Sequence, residues 1–294
     1  MSTIDSGTSN RFGEMINRYL ATESYPDPYA VVPTRAPATT PVRPAATTGT
    51  VLVGVDDSPI SCVAVDHAAI EAELHGWSLH LMTIRRGEAD EAAETLLQRL
   101  TDRVHASAPA VSVTSSLAVG THPARLLMAA AAEAGLLVVG HRHGATSTAL
   151  GRSVADQVAR RHCGPVLVVR MPGWPAGPEF GRKPLVAAVD GSATAQAAAE
   201  FAYAEARARG CDVNLLHVVG DRMDLARRLE TRDGVRVHHR ILVGDPVTAL
   251  IQESGRAAAV VISRQRRNLL DRTLLGPAVH LLPQRAYCPV FLVG

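Results

Sequence analysis

Aspartates and glycines that follow two apolar runs are the residues with an evident capacity for ligand chemistry. Asp56 and Asp57 end a run that begins at Val51, and Gly140 and Gly144 frame a loop after a later run. An ionised carboxylate can accept both hydroxyl hydrogens of a ribose diol, and glycines let the backbone approach phosphate closely. A nucleotide-type site is therefore one interpretation, with helix capping by Asp56 and an ordinary glycine turn as the alternatives.

Other residues are predicted to reach the same region. Ile84 ends the second apolar run, and His141 follows the fourth. Gly151 and Ser153 precede a helical pattern that starts at Val154. In open parallel sheets ligands bind beyond the carboxyl ends of the strands, and a serine hydroxyl adds to the free N–H groups at a helix start. These residues are predicted to line one rim.

Two histidines in the loop after the fourth apolar run raise the question of a metal. His141 and His143 alternate there, but a metal site needs further ligands that cannot be placed beside them from the sequence. Solvated side chains or hydrogen-bond donors to phosphate are the two interpretations. No metal site is predicted.

The elements that must position these residues follow from apolar periodicity. Short runs rich in Val, Leu and Ile alternate with amphipathic stretches, which predicts a parallel, doubly wound sheet with helices on both faces. In the first half of the chain, strands are predicted at 51–56, 79–84, 111–118, 136–140 and 165–170, and helices at 60–75, 88–107, 123–134 and 154–162.

An internal repeat sets the domain organisation. Val51–Ser58 matches Leu185–Ser192 at an offset of 134 positions, and Gly76–Ile84 matches Gly210–Val218 at the same offset. Two more pairs follow in the same order, 118–123 with 242–246 and 163–169 with 287–293. The sequence therefore predicts two tandem copies of one domain, 49–171 and 183–294, joined by the Pro/Gly-containing linker 172–182.

Residues 1–48 differ in composition from the rest. They hold six of the 18 prolines and a run rich in Thr, Pro and Ala, so they are expected to be a disordered tail. The alternative is a short docking helix around Phe12, Ile16 and Leu20, which recur at helical spacing.

Composition excludes several classes of protein. Hydrophobic residues are 47%, the net charge is +2 and aromatic residues are only 4%, so neither wholesale disorder nor a nucleic-acid-binding surface is expected. There is no apolar run of membrane length and no secretory signal pattern. The four cysteines form no Cys-x-x-Cys pair and are expected to be reduced. A soluble cytoplasmic protein without membrane or nucleic-acid partners is predicted.

The whole pattern resembles the universal stress protein family. The resemblance rests on Val-Gly-Val-Asp-x-Ser near Asp56, Val-Gly-x-x-Pro, Leu-Leu-Val-Val-Gly, Leu-Gly-x-Ser-Val and a closing Pro-Val-Leu-Val-Val. It implies two tandem five-stranded parallel sheets in strand order 3-2-1-4-5, an adenine-nucleotide alpha-hydrolase-like fold. It also implies ATP bound by the first-strand aspartate, the end of the second strand and a Gly-x2-Gly-x9-Gly-Ser/Thr loop. By position the expected nucleotide-binding residues are Val55, Asp56, Ile84, Gly140, His141, Gly144, Gly151, Ser153 and Val154.

The two copies depart from that loop pattern to different degrees. In the first copy three and six residues separate the glycines, where the family has two and nine. In the second copy Asp190 and Gly276 remain, but Ile262 is aligned with Gly140 and Pro277 removes an N–H donor. Its loop carries four arginines, Arg264, Arg266, Arg267 and Arg272. They are interpreted either as solvated side chains or as residues that bind an acidic partner.

Catalytic motifs are missing. The chain has no Gly-x4-Gly-Lys-Ser/Thr, no Gly-x-Gly-x-x-Gly after a first strand and no Gly-x-Ser-x-Gly elbow. We therefore expect a non-catalytic stress-response protein that binds ATP or another adenine nucleotide in its first copy. A nucleotide-free interaction scaffold and slow ATP hydrolysis in the first copy are the alternatives.

The last strand of each copy is expected at a sheet edge. Val166–Val169 and Val290–Val293 are apolar, and exposed apolar edge strands invite pairing. The two are predicted to pair within one chain as an intramolecular pseudo-dimer, which leaves a homodimer to use another surface.

Overall fold

The computed structural model describes most of the chain. It covers Phe12, Gly13, Met15, Ile16 and Arg18, and residues 49–87, 91–142, 153–171, 182–218, 228–242, 245–264, 275 and 277–294. No helix within these ranges is long and apolar enough to cross a lipid bilayer. Three of the predicted site residues lie outside them, namely Gly144, Gly151 and Gly276.

The first copy alternates strands and helices as its periodicity predicts. Its elements are β1 (Thr50–Val55), α1 (Pro59–His75), β2 (Ser78–Arg85), α2 (Glu91–Ser107), β3 (Val113–Val119), α3 (Pro123–Ala130), β4 (Leu136–His141), α4 (Val154–Arg161) and β5 (Val166–Arg170). The strands are parallel in the order β3-β2-β1-β4-β5. The doubly wound fold and the strand order expected from the family resemblance are confirmed for this copy.

The second copy repeats this plan with one addition. Its elements are β6 (Leu185–Val189), α5 (Ala193–Arg209), β7 (Val213–Val218), β8 (Arg228–Arg232), β9 (Val235–Leu242), α6 (Pro246–Ser254), β10 (Ala259–Ser263), α7 (Ala278–Arg285) and β11 (Val290–Val293). The strand order is β11-β10-β6-β7-β9-β8.

The expectation of five strands is wrong for this copy, which has six in the described ranges. Strand β8 runs antiparallel to β9 at the outer edge. Asp233 and Gly234 join them with φ angles of 50° and 84°. Positive φ at both central residues is what a tight type I′ hairpin needs, and Asp-Gly is a favoured pair for it. The hairpin explains the extra strand.

The two sheets are continuous with each other. Strands β5 and β11 pair antiparallel, with Val168 opposite Val290, Leu167 opposite Phe291 and Val166 opposite Leu292. The prediction that the two edge strands pair within one chain is confirmed. The result is one sheet of eleven strands in the described structure, and burying both apolar edges removes an aggregation-prone surface.

Helices cover both faces of this sheet. One core contains the buried sides of α1, α2 and α5, and the other contains those of α3, α4, α6 and α7. Both cores run through the two copies, so the copies share their hydrophobic interior. Parallel strands covered on both faces are expected to be apolar throughout, which is why the strands could be read from the sequence.

The N-terminal segment, defined here as Phe12, Gly13, Met15, Ile16 and Arg18, is helical. Phe12, Met15 and Ile16 are buried in the core beside α1 and α5, and Arg18 Nη2 lies 2.7 Å from Glu73 Oε1 on α1. The expectation of a disordered tail is therefore wrong for these residues, because their apolar side chains find a core to fill. The docking-helix alternative describes them.

Candidate functional site

Asp56 lies directly after β1, at the rim where the family resemblance puts a ligand. Its Oδ1 accepts hydrogen bonds from the backbone N–H of Ser58 at 2.9 Å, from the Ser58 hydroxyl and from the Ser61 hydroxyl at 3.0 Å. The Ser61 hydroxyl also accepts a bond from the Asp56 N–H at 2.9 Å. These bonds hold one carboxylate oxygen at the start of α1 and leave the other for a different partner.

That partner is Arg142, which comes directly after β4. Arg142 Nη2 forms an ion pair with Asp56 Oδ2. Burial alone would raise the pKa of Asp56, but hydrogen bonds from Ser58, the Arg142 charge and the Ser61 hydroxyl together lower the pKa below its ordinary value. Asp56 is thus an ionised carboxylate that already faces a cation.

The end of β2 adds a second ion pair to the rim. Arg85 Nη1 and Nη2 bind the two carboxylate oxygens of Asp57 at 2.8 and 3.2 Å. Ile84, the residue before it, is half-buried and packs against the core under α3 and α4. Val55, at the end of β1, is buried. The predicted positions therefore meet at one edge of the sheet, with charged side chains outside and apolar ones inside.

Gly140 is explained by packing. A Cβ atom at this position would lie 2.8 Å from Cγ1 of Ile60 on α1, closer than real Cβ contacts come. The absence of a side chain lets α1 press against β4. This reason for the glycine is additional to the two that the sequence suggested, a turn and close approach to phosphate.

His141, the last residue of β4, is buried rather than solvated. Its Nε2 lies 3.4 Å from Oδ1 of Asp156 in the first turn of α4. This contact with His141 is the chief reason that the pKa of Asp156 lies well below its ordinary value of 3.8; burial opposes it, and Ser153 and Gln284 lower the pKa further. Nδ1 of His141 has no hydrogen-bond partner among the described residues.

Ser153 begins α4 as its N-cap. Its hydroxyl accepts a hydrogen bond from the Asp156 N–H at 3.0 Å, and Val154 is the first helical residue. A serine N-cap with an acid three residues later is common, because the serine accepts a hydrogen bond from a free backbone N–H and the acid is attracted to the positive end of the helix dipole. Gln284 of α7, in the second copy, reaches Asp156 Oδ1 at 3.3 Å. The helix start thus joins the rim of one copy to a helix of the other.

The second copy has a different rim. Asp190 Oδ1 accepts bonds from the N–H and hydroxyl of Ser192 at 3.2 and 2.7 Å. Strand register places Ser263 opposite Val293 as Gly140 lies opposite Val169. Ser263, not Ile262, is therefore the residue equivalent to Gly140, and the sequence alignment was wrong by one position.

Arg264 also differs from both sequence interpretations. It is 5% exposed, and its Nη2 donates to the carbonyl oxygen of Gly164 in the first copy. Burial lowers its pKa to about 10. Arg264 is therefore a contact between the copies and is neither solvated nor available to an acidic partner. The arginines that follow it, Arg266, Arg267 and Arg272, lie outside the described residues.

Comparisons with known proteins agree with this architecture. The sequence model described as "Universal stress protein family" matches residues 47–170 and 181–233. The chain belongs to the universal stress protein family. A universal stress protein of Mycolicibacterium smegmatis is 31% identical over 284 residues, which cover 83% of this chain and 96% of that protein.

Solved structures of other universal stress proteins are similar as well. One from Archaeoglobus fulgidus superposes with a TM-score of 0.66 at 19% identity, covering 83% of this chain and 95% of that one, which supports the two-copy fold. Another, described as a universal stress protein in complex with cAMP, is 33% identical, with a TM-score of 0.37 and coverage of 42% of this chain and 96% of its own.

Arg142 and Asp156 are among the residues that shape the rim of this universal stress protein but that sequence reasoning missed. Arg142 was passed over although it lies two residues after Gly140, at the end of a strand predicted to border β1. Asp156 was passed over although Ser153-x-x-Asp156 is a capping pattern. Both could have been found by asking which charged residues lie at the carboxyl end of β4 and in the first turn of the next helix.

Proposed function

We propose that this universal stress protein binds an adenine nucleotide, ATP in particular, at the rim of its first copy, and that it acts by binding rather than by catalysis. The observation that carries the proposal is the position of Asp56. Asp56 directly follows β1, the central strand of the first copy. Its carboxylate is ionised and forms an ion pair with Arg142, the residue directly after β4. A strand-end carboxylate of this kind suits a ribose diol.

Ligand binding would proceed by exchange of partners. Ribose hydroxyls would donate to the Asp56 oxygens in place of Arg142, and the released guanidinium would bind phosphate oxygens, for which its planar donors are well suited. The start of α4 supplies backbone N–H groups of the kind that favour anions.

Native mass spectrometry of freshly purified full-length protein tests the proposal. We expect a bound mass equal to one adenine nucleotide per chain, lost on desalting under denaturing conditions. Calorimetry with ATP should then give one site per chain. Phosphate release with ATP in excess checks the non-catalytic part, because turnover that Asp56→Ala abolishes would contradict it.

One observation favours a second candidate, a nucleotide-free interaction scaffold. The Asp56 carboxylate is already satisfied by Ser58, Ser61 and Arg142, and Gly140 has a packing reason that involves no ligand. In that case the purified chain would carry no nucleotide, and neither ATP, ADP, AMP nor cAMP would give binding heat.

A further inference from the structure

A buried polar cluster lies where α1 of the first copy meets α5 of the second. Glu71 and His75 are one helical turn apart on α1, and Glu205 and Arg209 are one turn apart on α5. Glu71, Glu205 and Arg209 are 1%, 2% and 3% exposed. Two carboxylates this deeply buried need strong compensation.

Arg209 compensates only one side of each carboxylate. Its Nε donates to Glu205 Oε1 at 2.7 Å, and its Nη2 donates to Glu71 Oε1. The two Oε1 atoms are therefore held by one planar guanidinium. The geometry turns the Oε2 atoms of both glutamates toward the imidazole of His75.

Oε2 of Glu71 is the unexplained atom of the cluster. It is buried and has no hydrogen-bond partner among the described residues. An unpartnered buried acceptor points to a missing positive group at this place.

Three ligand atoms converge on that place. His75 Nε2 lies 3.0 Å from Glu205 Oε2 and 3.8 Å from Glu71 Oε2, and all three atoms lie within 4.8 Å of one another. Ligand bonds of about 2.0–2.1 Å in a tetrahedral zinc site put neighbouring ligand atoms about 3.3 Å apart. The separations of 3.0 and 3.8 Å from His75 Nε2 to the two carboxylate oxygens lie close to that value.

We propose that Glu71, His75 and Glu205 bind one divalent metal ion, zinc by preference, between the two copies. An imidazole nitrogen with two carboxylate oxygens is a ligand set that zinc accepts, and a fourth position remains for water. Calcium and magnesium prefer six or more oxygen ligands, which this cluster does not offer. This site is separate from the proposed nucleotide rim.

The surroundings fit a metal site in two further respects. Hydrogen bonds from a neighbouring group commonly fix the ligating carboxylates of metal sites, and Arg209 does so for both glutamates. Phe12 of the N-terminal segment covers the guanidinium, with its ring centre 4.3 Å from Arg209 Cζ. The His75 side chain is 24% exposed, which leaves an entry path from solvent.

Zinc calorimetry on the full chain, stripped with EDTA, tests the proposal. Wild type should bind one zinc ion per chain at this site, and His75→Gln should weaken that binding at least about 100-fold. The matched control is His239→Gln, because His239 also lies near a carboxylate, 3.4 Å from Glu230, and should keep the wild-type affinity. Equal affinity in wild type and His75→Gln would overturn the proposal, and so would a loss confined to His239→Gln.

X-ray absorption at the zinc edge on the wild-type complex gives an answer that does not depend on any variant folding. We expect one nitrogen and two or three oxygen ligands at about 2.0–2.1 Å. Sulfur in the zinc shell would place the ion at a cysteine and overturn the proposal. Circular dichroism of His75→Gln, at a position whose side chain is 24% exposed, checks that the variant remains folded.

Discussion

Asp56 and Asp190 hold the same place in the two copies, yet their surroundings differ. Asp56 is bound by Ser58, Ser61 and Arg142, whereas Ser192 is the partner of Asp190 in the described part of the chain. After the fourth strand, the first copy has Gly140 and the second has Ser263. The strand-end acid is retained in both copies, and what faces it is not.

The difference teaches that the rim and the packing beneath it change together. In the first copy, a Cβ at Gly140 would clash with Ile60. In the second copy, the equivalent of Ile60 is the smaller Thr194, and the equivalent of Gly140 is Ser263, which has a side chain. The next residue is His141 in one copy and Arg264 in the other, both buried. In the second copy, Arg264 at this position forms a contact between the copies, with the carbonyl oxygen of Gly164, and is not placed to bind a ligand.

The pairing of β5 with β11 is where a substitution should have the largest effect on both copies at once. Val168→Asp puts a charge into a buried strand pair, and we expect it to lower the free energy of unfolding by about 4 kcal/mol. Because the copies share both cores, a single unfolding transition should shift as a whole in urea. The control is Val119→Asp on the β3 edge, where the valine is 53% exposed. Two separate transitions, with only one shifted, would contradict this pairing.

The N-terminal segment contacts both copies, through Glu73 of the first and Arg209 of the second. Substitutions in it therefore test how the two copies are held together. Phe12→Ala should lower the free energy of unfolding by about 3 kcal/mol, since a buried aromatic ring is lost and a cavity remains. Arg18→Ala, in the same segment, removes the ion pair between the exposed Arg18 side chain and Glu73 and should cost less than about 1 kcal/mol. Urea unfolding followed by fluorescence measures both. Equal, small effects would mean that the segment does not dock in solution.

Nucleotide affinity tests the asymmetry between the two rims. Asp56→Ala should weaken ATP binding by about 1.5–3 kcal/mol, the usual range for a hydrogen bond to a charged group. Asp190→Ala is the matched control and should change the affinity little. Calorimetry that finds the same loss in both variants would show that the two rims are equivalent.

The smallest expected effect concerns the starts of α4 and α7. Asp156 lies in the first turn of α4, and α7 has no acid there. The native pKa of Asp156 is below its ordinary value of 3.8, so its ionised form stabilises the fold above that pH, and the stabilisation is lost as the pH falls through the native pKa. Wild type should therefore exceed Asp156→Asn in stability at pH 7, by less than about 1 kcal/mol, and the difference should shrink below pH 3.8. Asp102→Asn, at an exposed position of α2, is the control, and a difference that is constant with pH would contradict the assignment.

Local pattern was enough to predict β1, β4 and β5, because a strand covered on both faces is apolar along its whole length. The same rule overlooked β8, a polar edge strand whose signal is the turn at Asp233 and Gly234. At the rim, the positions of Asp56 and Ser153 could be predicted, since each follows from adjacent residues. The ion pair of Arg142 depends in addition on β1 and β4 being neighbours, so finding it requires the strand order as well as the local pattern.

Glu71 and Glu205 are related by the same offset of 134 positions that relates the repeats, and so are His75 and Arg209. The cluster therefore lies on the pseudo-two-fold axis, as do Leu167 and Phe291 in the paired strands. A dimer of identical chains would have to place the same residue twice at each such position. Two copies within one chain are free of that constraint, so a histidine can stand on one side of the axis and an arginine on the other.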